Sequence, residues 1–336
     1  MENADRPGLA EVASTALGLW LIRTVYITPA TDPAPLTGPL SDDPGRLRAH
    51  LLDHLIPSVI HARPPTRDPA EHFRPRHAWD PDQTRHYLAY LARRLTAHDT
   101  RDLAWWHLAN LTFTPAQQRR ITRLFGLVFG LAFGLAAGIA AGLAFGLTAG
   151  IAAGFAVEQW FNGTPGYADL RLRGRTKRLI KHLAAELAFG IAFGIAVGIA
   201  FGIAVGLIRW AEQPATTTTA TTPQSTWNAD RTLTLLRTTT FGLAAGIAGG
   251  LAVGVVVGVA AGVVLGNHHA WLAGGITVRR LARAGHVPRR LMAFLDDAHR
   301  LGLLRTVGPV YQFRHADLHD HLAALHFETD EPGRGR

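Results

Sequence analysis

Glycine recurs at every fourth position in three long apolar tracts, and this repeat is the strongest pattern in the chain. We place the tracts at 124–157, 183–208 and 241–266, with mostly Ala, Leu, Phe, Ile or Val between the glycines. In water such helices would be weak, because each glycine costs about 1 kcal/mol relative to alanine. In lipid an apolar run must be helical, and small residues at this spacing let helix backbones approach closely. The repeat therefore predicts transmembrane helices.

The glycines predicted to pack these helices share one four-residue phase. They are Gly126, Gly130, Gly134, Gly138, Gly142, Gly146, Gly150, Gly154, Gly190, Gly194, Gly198, Gly202, Gly206, Gly242, Gly246, Gly250, Gly254, Gly258, Gly262 and Gly266. A period of four exceeds the 3.6 residues of a helical turn, so the glycines wind around each helix and face several neighbours. The pattern favours a glycine-zipper bundle over 116–272, formed within one chain or in a homo-oligomer.

Tract length and loop charge together predict a membrane topology. The first tract would span about 51 Å as one helix, against a hydrocarbon core of roughly 30 Å. A turn near 138–142 would divide it into two crossings and give four in total. The basic loop 158–181 would then be cytoplasmic and the Thr-rich loop 211–230 external. This predicts a multi-pass cell-membrane protein with both termini in the cytoplasm, and a long tilted first helix with three crossings is the alternative.

The segment before the tracts, residues 1–115, is predicted to be a cytoplasmic helical domain interrupted by proline-rich loops. Its clearest helix begins after Asp80, which is a predicted N-cap. Pro81 takes the first helical position and Gln83 completes a capping box. The apolar stripe of this helix comprises Tyr87, Leu88, Leu91 and Leu95.

The segment after the tracts, residues 273–328, predicts the order helix, helix, β-hairpin, helix. The dipeptide Gly308-Pro309 marks the hairpin turn, and the last helix begins at Ala316. This order is typical of a small winged-helix-like domain, and residues 329–336 are predicted to be a disordered tail. The predicted fold class is therefore mainly α, with a soluble helical domain, a glycine-zipper transmembrane helix bundle and a C-terminal winged-helix-like domain.

Composition narrows the chemistry that this chain can perform. Its 336 residues include no Cys, which excludes disulfides, zinc sites built on thiolates and a Cys nucleophile. No Ser-His-Asp set, paired carboxylates or dinucleotide fingerprint stands out. The net charge of +9 favours an anionic neighbour, which includes nucleic acid, nucleotide and the lipid surface.

The run GLLRTVGPVYQFRHADLHDHLAAL resembles the winged-helix end of NACHT-type signal-transduction NTPases of the STAND class. The specific part is Phe313, His315 and the spacing of 322–324. In the N-terminal half, STALGLWLIRTVYI, LRAHLLDHLIPSVI and WDPDQTRHYLAYLARRL are similar to the helical domain that follows the nucleotide-binding core in actinobacterial members. The resemblance covers 9–110 and 273–326, and it implies that His315 contacts an ADP phosphate. The alternative is a His that caps the last helix and packs beside Phe313.

Two departures from the family pattern change the expected function. No GxxxxGK[ST] phosphate loop occurs in the chain, and Ala16 stands where the family usually has Pro. We therefore expect no ATP hydrolysis and no cofactor, with ADP or ATP bound only if a missing region or a partner supplies a P-loop. The chain is interpreted as the C-terminal part of a longer NTPase or its reduced descendant, acting as membrane anchor and switch module in signalling or defence.

Several other residues are candidates for binding. A basic cluster follows the third tract and comprises Arg279, Arg280, Arg283, Arg289 and Arg290. It is suited to bind anionic lipid, which is the favoured interpretation, or DNA phosphates. The helical spacing of His315, His319 and Asp320 suits a metal, but with 17 His in the chain such spacings arise by chance and no metal site is predicted. Trp105, Trp106 and Trp271 are either interfacial anchors or core aromatics. A membrane-tethered DNA-binding regulator and a glycine-zipper pore remain alternative functions.

Overall fold

The computed structural model describes residues 7–136, 147, 150–151, 167–168, 176–191, 195–213, 222–251, 254–256, 258–259 and 270–325, and these are mainly helical. The chain divides into two compact units. Unit 1 comprises Met1–Leu103, Leu281–Thr306 and Tyr311–Arg336, and unit 2 comprises Ala104–Arg280 and Val307–Val310. The two segments that flank the glycine tracts thus contribute to one unit.

The N-terminal elements of unit 1 are short helices followed by two long ones. They are α1 (Pro7–Ala13), α2 (Ala16–Ile22), a π-helical turn (Arg23–Ile27), α3 (Ala34–Thr37), a 3₁₀ turn (Pro39–Asp42), α4 (Pro44–Ala62) and α5 (Pro81–Ala97). The Asp43 carboxylate caps α4 by accepting hydrogen bonds from the backbone N–H groups of Gly45 and Arg46. The buried face of α4 then follows helical spacing, with Leu47, Leu51, Leu52, Leu55, Ile56 and Val59 in the core.

Helix α5 confirms the helix predicted after Asp80. The Asp80 carboxylate accepts from the Gln83 backbone N–H at 2.8 Å, and Leu88, Leu91 and Leu95 are buried. The second half of the predicted capping box is replaced, because the Gln83 side-chain oxygen accepts a hydrogen bond from the Tyr87 hydroxyl at 3.3 Å.

The C-terminal elements follow the predicted order. They are α11 (Ala270–Arg283), α12 (Leu291–Arg300), β3 (Leu304–Val307), β4 (Val310–Phe313) and α13 (Ala316–Ala324), with β3 and β4 paired in a two-stranded sheet. Gly308 in the turn has φ +57°, a conformation that favours glycine. Within unit 1, α13 packs on α5, and Tyr311 of β4 pairs with Leu103 through two backbone hydrogen bonds of 2.8 and 3.2 Å.

Unit 2 contains the glycine tracts and the segments that connect them. Its described elements are a 3₁₀ turn (Trp105–His107), α6 (Leu108–Thr112), α7 (Pro115–Ala136), β1 (Tyr167–Ala168), α8 (Thr176–Ile191), α9 (Ile195–Ala211), β2 (Glu212–Gln213) and α10 (Pro223–Gly249). Thr222 caps α10 in a reciprocal capping box with Ser225. In the return arm of the third tract, residues 254–256 are also helical.

Each glycine tract returns on itself, as shown by close approaches between glycines and the opposite backbone. A Cβ on Gly150 would lie 2.7 Å from the carbonyl oxygen of Gly126, and one on Gly202 would lie 2.7 Å from that of Glu186. A Cβ on Gly258 would lie 2.6 Å from the Cα of Gly242. We call these pairings hairpin 1 (α7 with Gly150), hairpin 2 (α8 with α9) and hairpin 3 (α10 with 254–259).

The predicted turn near 138–142 lies outside the described part of the chain. The predicted single crossings of the second and third tracts are wrong, because both tracts are helical hairpins. Hairpin 3 pairs Gly242 with Gly258 and Gly246 with Gly254, which places its centre at Gly250. Gly250 ends α10 with φ +84°, so the turn uses a conformation that side chains rarely adopt.

The predicted placement of the two connecting loops on opposite sides of a membrane is also wrong. Strand β1 lies in the basic loop and β2 at the start of the Thr-rich loop, and they pair antiparallel, with Tyr167 opposite Gln213 and Ala168 opposite Glu212. Residues joined by backbone pairing lie at the same level of the molecule. The charge difference between the loops therefore does not separate them across a bilayer.

Among the described helices, no single one has both the length and the hydropathy needed to cross a bilayer. The bent pair Pro7–Ala13 and Ala16–Ile27, with an angle of 107° at the break, passes the same test.

Candidate functional site

His315, the residue that the sequence singled out for phosphate contact, stands at the start of α13. Its backbone is extended (φ −125°, ψ 136°) and its side chain makes no capping hydrogen bond, so the imidazole is not used to close the helix end. The ring instead packs on Trp20 of α2, with 5.0 Å between ring centroids and 40° between planes. Helices α2 and α13 together position this half-buried imidazole.

Arg305 and Arg314 act on His315, and Arg63 lies near Arg314. We name Arg63, Arg305, Arg314 and His315 the cationic cluster. A Cβ on Gly302 would lie 3.7 Å from Nη1 of Arg314 and 4.0 Å from Nη1 of Arg63, so the two guanidinium groups converge beside this glycine. Nη1 of Arg63 also donates to the carbonyl oxygen of Leu301 at 3.2 Å, which fixes it at the end of α12. The exposed Arg305 is oriented by two hydrogen bonds to the side-chain oxygen of Gln312.

The positive charges of this cluster act on one another. Burial lowers the pKa of His315, and the charges of Arg314 and Arg305 lower it further, while Asp317 has the opposite effect. Burial lowers the pKa of Arg63 as well, with Arg314 as the second cause. Among the described residues, no carboxylate lies within ion-pair distance of the three arginines. A bound anion would relieve this repulsion, so the arrangement suits a phosphate or carboxylate group.

Sequence reasoning found His315 and missed the rest of the cluster. The signal for Arg314 was available, since it stands beside His315 in the FRH triplet. Trp20 and Arg63 come from the other end of the chain, and only the packing of unit 1 brings them to this site.

A buried carboxylate holds the loop before α5 against α12. Asp297 is 1% exposed and accepts four hydrogen bonds: from the backbone N–H of Arg76 (2.6 Å) and His77 (3.2 Å), the His77 imidazole (2.8 Å) and the Trp79 indole (2.9 Å). A second polar contact lies between α4 and α13, where the Asp53 carboxylate meets Arg85 and, at 3.0 Å, Nε2 of His321. Both contacts join N-terminal to C-terminal segments within unit 1.

The predicted basic cluster is divided between the two units. All five arginines are exposed, but Arg279 and Arg280 belong to unit 2, whereas Arg283, Arg289 and Arg290 belong to unit 1. The Arg280 guanidinium lies 4.9 Å from the ring centroid of Phe113, just before α7.

The tryptophans near the tract ends are core aromatics in two of three cases. Trp105 and Trp106 are buried, and the Trp105 indole N–H donates to the Thr226 hydroxyl at 2.9 Å. The Trp105 ring packs edge-on against Trp227, with centroids 4.8 Å apart. Trp271 is half-buried and its backbone N–H donates to Asp230 at 2.6 Å.

The residues considered for metal binding do not converge. His319 is 4% exposed and its Nδ1 lies 2.9 Å from an Asp320 oxygen, while its ring contacts Phe313 rather than His315. In the part of the chain that the structure describes, no three His, Asp or Glu side chains could hold one ion.

The hairpins of unit 2 place small residues inside and large apolar residues outside. The approaching glycines that are described are Gly126, Gly130, Gly150, Gly202, Gly206, Gly242, Gly246, Gly254 and Gly258. On the same elements the outward positions are 39–84% exposed, and they are Leu124, Leu127, Val128, Leu131, Leu147, Ile151, Ile199, Ile203, Leu243, Ile247, Leu251, Val255 and Val259. We call these the apolar outer surface. Gly138, Gly142, Gly146, Gly154, Gly194, Gly262 and Gly266 lie outside the described residues, and Gly134, Gly190 and Gly198 lie on described helices.

Comparison of the chain with protein-family models, curated proteins and solved structures finds no match.

Proposed function

We propose that this protein is a membrane-anchored, non-catalytic module in which unit 2 is the anchor and unit 1 is the switch of a NACHT-like signalling or defence ATPase. The single observation that carries the anchor is the apolar outer surface. Soluble proteins rarely expose large apolar patches, and in lipid exposed apolar side chains need no cover. Glycine packing inside with Leu, Ile and Val outside is the arrangement that lipid favours.

The switch part of the proposal rests on how unit 1 is assembled. Its N-terminal helices and its C-terminal hairpin and helix are joined by polar contacts, Asp53 with His321 and Asp297 with the 76–79 loop, rather than by a continuous chain. Switching proteins often move by exchanging polar contacts of this kind at an interface. The cationic cluster around His315 is the proposed anion contact. The nucleotide phosphate would be held by a P-loop partner, since this chain contains no such loop.

The anchor is tested by replacing two outward residues of hairpin 3. Leu243 and Ile247 are 68% and 77% exposed, and Leu243→Gln with Ile247→Gln should move the full chain from the carbonate-washed membrane fraction toward the supernatant. Phe73→Gln is the matched control, because Phe73 is 76% exposed in unit 1 and should leave fractionation unchanged. Retention of the double variant in membranes at the wild-type level, or equal release of the control, would contradict the proposal.

The nucleotide part is tested separately by calorimetry. The chain alone should bind ADP with no better than millimolar affinity, because it contains no Gly-rich loop to surround the phosphates with backbone N–H groups. With a P-loop partner present, His315→Ala should weaken ADP binding, whereas His319→Ala should not, since that ring faces Phe313. Micromolar binding by the chain alone would refute the assignment of the phosphate loop to a partner.

A further inference from the structure

We infer that the three hairpins insert into a single leaflet of an anionic bilayer from one side and do not cross it. The inference rests on the proposed membrane anchorage and adds its depth, its direction and the class of lipid. Three observations carry it: the length of the hairpin arms, the position of the hairpin bases, and the charge at those bases.

The arms are too short to reach the far headgroups. In hairpin 2, Glu186 pairs with Arg209 at 2.8 Å, and the pairing of Gly202 with Glu186 places the centre of the hairpin near position 194. The apolar arm beyond this ion pair is therefore about 12 Å long at 1.5 Å per residue. In hairpin 3, the arm from Phe241 to Gly250 is about 14 Å long. Each arm matches one leaflet of a hydrocarbon core that is roughly 30 Å thick.

Hairpin 1 is longer, but its arms are also too short to reach the far headgroups. Its last charged residue before the tract is Arg123, and Gly150 approaches both Gly126 and Gly130. These two approaches place the centre of the hairpin near position 139, and a helix from Arg123 to that position would be about 24 Å long. For its tip to lie at the depth of the other two, Arg123 would lie about 10 Å outside the hydrocarbon core, with the first turns of the tract at the headgroup level.

The bases of hairpins 2 and 3 lie at one end of unit 2, where Ile208 packs with Phe241. The pairing of β1 with β2 joins the segment after hairpin 1 to the segment after hairpin 2. Helix α10, the first arm of hairpin 3, packs on β1. In the proposed arrangement each tract leaves this end and returns to it, so all three hairpins enter the bilayer from the same face.

Exposed cations mark this end. Arg119, Arg120 and Arg123 precede the first tract, and Lys177 and Lys181 precede the second. Arg209, which ends hairpin 2, is 63% exposed at its side chain. Basic residues at the base of an inserted apolar element lie at the headgroup level, where anionic lipid attracts them. The partner is therefore a leaflet rich in anionic lipid.

The depth is measured with the full chain and fluorescent thiol labels, because the protein has no native Cys. Leu251→Cys, beside the turn of hairpin 3, and Leu243→Cys, toward its base, are labelled and bound to vesicles of phosphatidylglycerol and phosphatidylcholine. The Leu251→Cys label should be quenched most by lipids spin-labelled at the chain end, the Leu243→Cys label by lipids labelled near the headgroup, and neither by iodide trapped in the vesicle lumen. The Phe73→Cys label should respond only to external iodide.

Quenching of the Leu251→Cys label by lumenal iodide would show that hairpin 3 crosses the bilayer, and would overturn the inference while leaving the membrane anchor intact. Failure of the full chain to float with the vesicles would overturn both, and would identify the anchor itself as the error. These two failures are distinguishable.

The lipid class is tested by charge removal at the base of hairpin 1. Each Arg near an anionic surface contributes about fivefold in affinity. Arg119→Gln with Arg120→Gln should therefore weaken binding to these vesicles by roughly 20- to 30-fold and have little effect on vesicles of phosphatidylcholine alone. Arg46→Gln with Arg67→Gln, two exposed positions in unit 1, is the charge-matched control and should change binding less than twofold. Equal loss in both variants, or no loss at the hairpin base, would refute the role of the basic residues.

Discussion

Removal of the Asp297 carboxylate should release the loop at 76–79 from α12. Asp297→Ala leaves the backbone N–H groups of Arg76 and His77 and the Trp79 indole without their acceptor. Unsatisfied donors of this kind cost about 1–3 kcal/mol each, and breaking a buried charged network costs roughly 3–5 kcal/mol in total. Because the His77 side chain is 41% exposed and water can replace its bond, we expect a loss near the lower end, about 3 kcal/mol.

The neighbouring Asp296→Asn is the matched control. Asp296 pairs with Arg300 at 2.9 Å on the surface of the same helix, and both side chains are partly exposed. Such a pair contributes at most about 1 kcal/mol. The two variants therefore remove adjacent carboxylates from one helix and differ only in burial and in the number of donors left unpaired.

Native-state hydrogen exchange of the full chain measures the free energy of opening of this loop directly. It does not require both units to unfold in one transition. A loss of about 3 kcal/mol should speed exchange at 76–79 about 150-fold at 25 °C in Asp297→Ala. Exchange in Asp296→Asn should rise no more than about fivefold. Equal exchange rates in the two variants would refute the assignment of this loop's stability to Asp297.

Three further outcomes are expected. Burial and neighbouring arginines lower the pKa of His315 in the folded state, so the unfolded chain takes up a proton at this residue first as pH falls through about 6.5. The free energy of unfolding should therefore decrease below that pH, and it should decrease less in His315→Gln. Urea unfolding at pH 7.5 and 5.5 measures both. Gly202→Ala would place a Cβ 2.7 Å from a backbone oxygen and should lower the melting temperature, whereas Gly275→Ala, with nothing within 4 Å, should leave it unchanged or raise it. Thr226→Val removes the acceptor of the Trp105 indole and should cost about 1–3 kcal/mol in urea unfolding, while Thr232→Val, on the more exposed face of α10, should cost less.

Local signals in the sequence were sufficient for individual elements. Asp80 followed by Pro81 located the start of α5, because capping and proline geometry act within a few residues. Gly308-Pro309 located the turn between β3 and β4 for the same reason. The buried stripe of α5 followed from helical spacing alone, since one face of a helix must be covered.

The hairpins of the second and third tracts were not predictable from the same signals. Gly250 forms a turn with φ +84°, yet it stands in an uninterrupted series of identical glycines with no proline, asparagine or charge to distinguish it. Loop charge was misleading, because the positive-inside rule assumes that successive loops face opposite sides. The pairing of β1 with β2 removes that assumption. The cationic cluster was hidden for a different reason, since Arg63 meets Arg314 only after the two ends of the chain fold together.

Hairpins are also consistent with the assembly of unit 1 from two distant segments. The chain leaves unit 1 at Leu103 and re-enters it at Leu281, and the paired backbones of Leu103 and Tyr311 require both segments on one side of any membrane. If each tract crossed the membrane once, the three crossings would place the two segments on opposite sides, because only an even number of crossings returns the chain to its starting side. Tracts that return to the side from which they start keep the two segments on one side, whatever the number of tracts. Under the proposed membrane anchorage, the close glycine contacts that fold each tract on itself therefore keep both segments of unit 1 on one side of the bilayer.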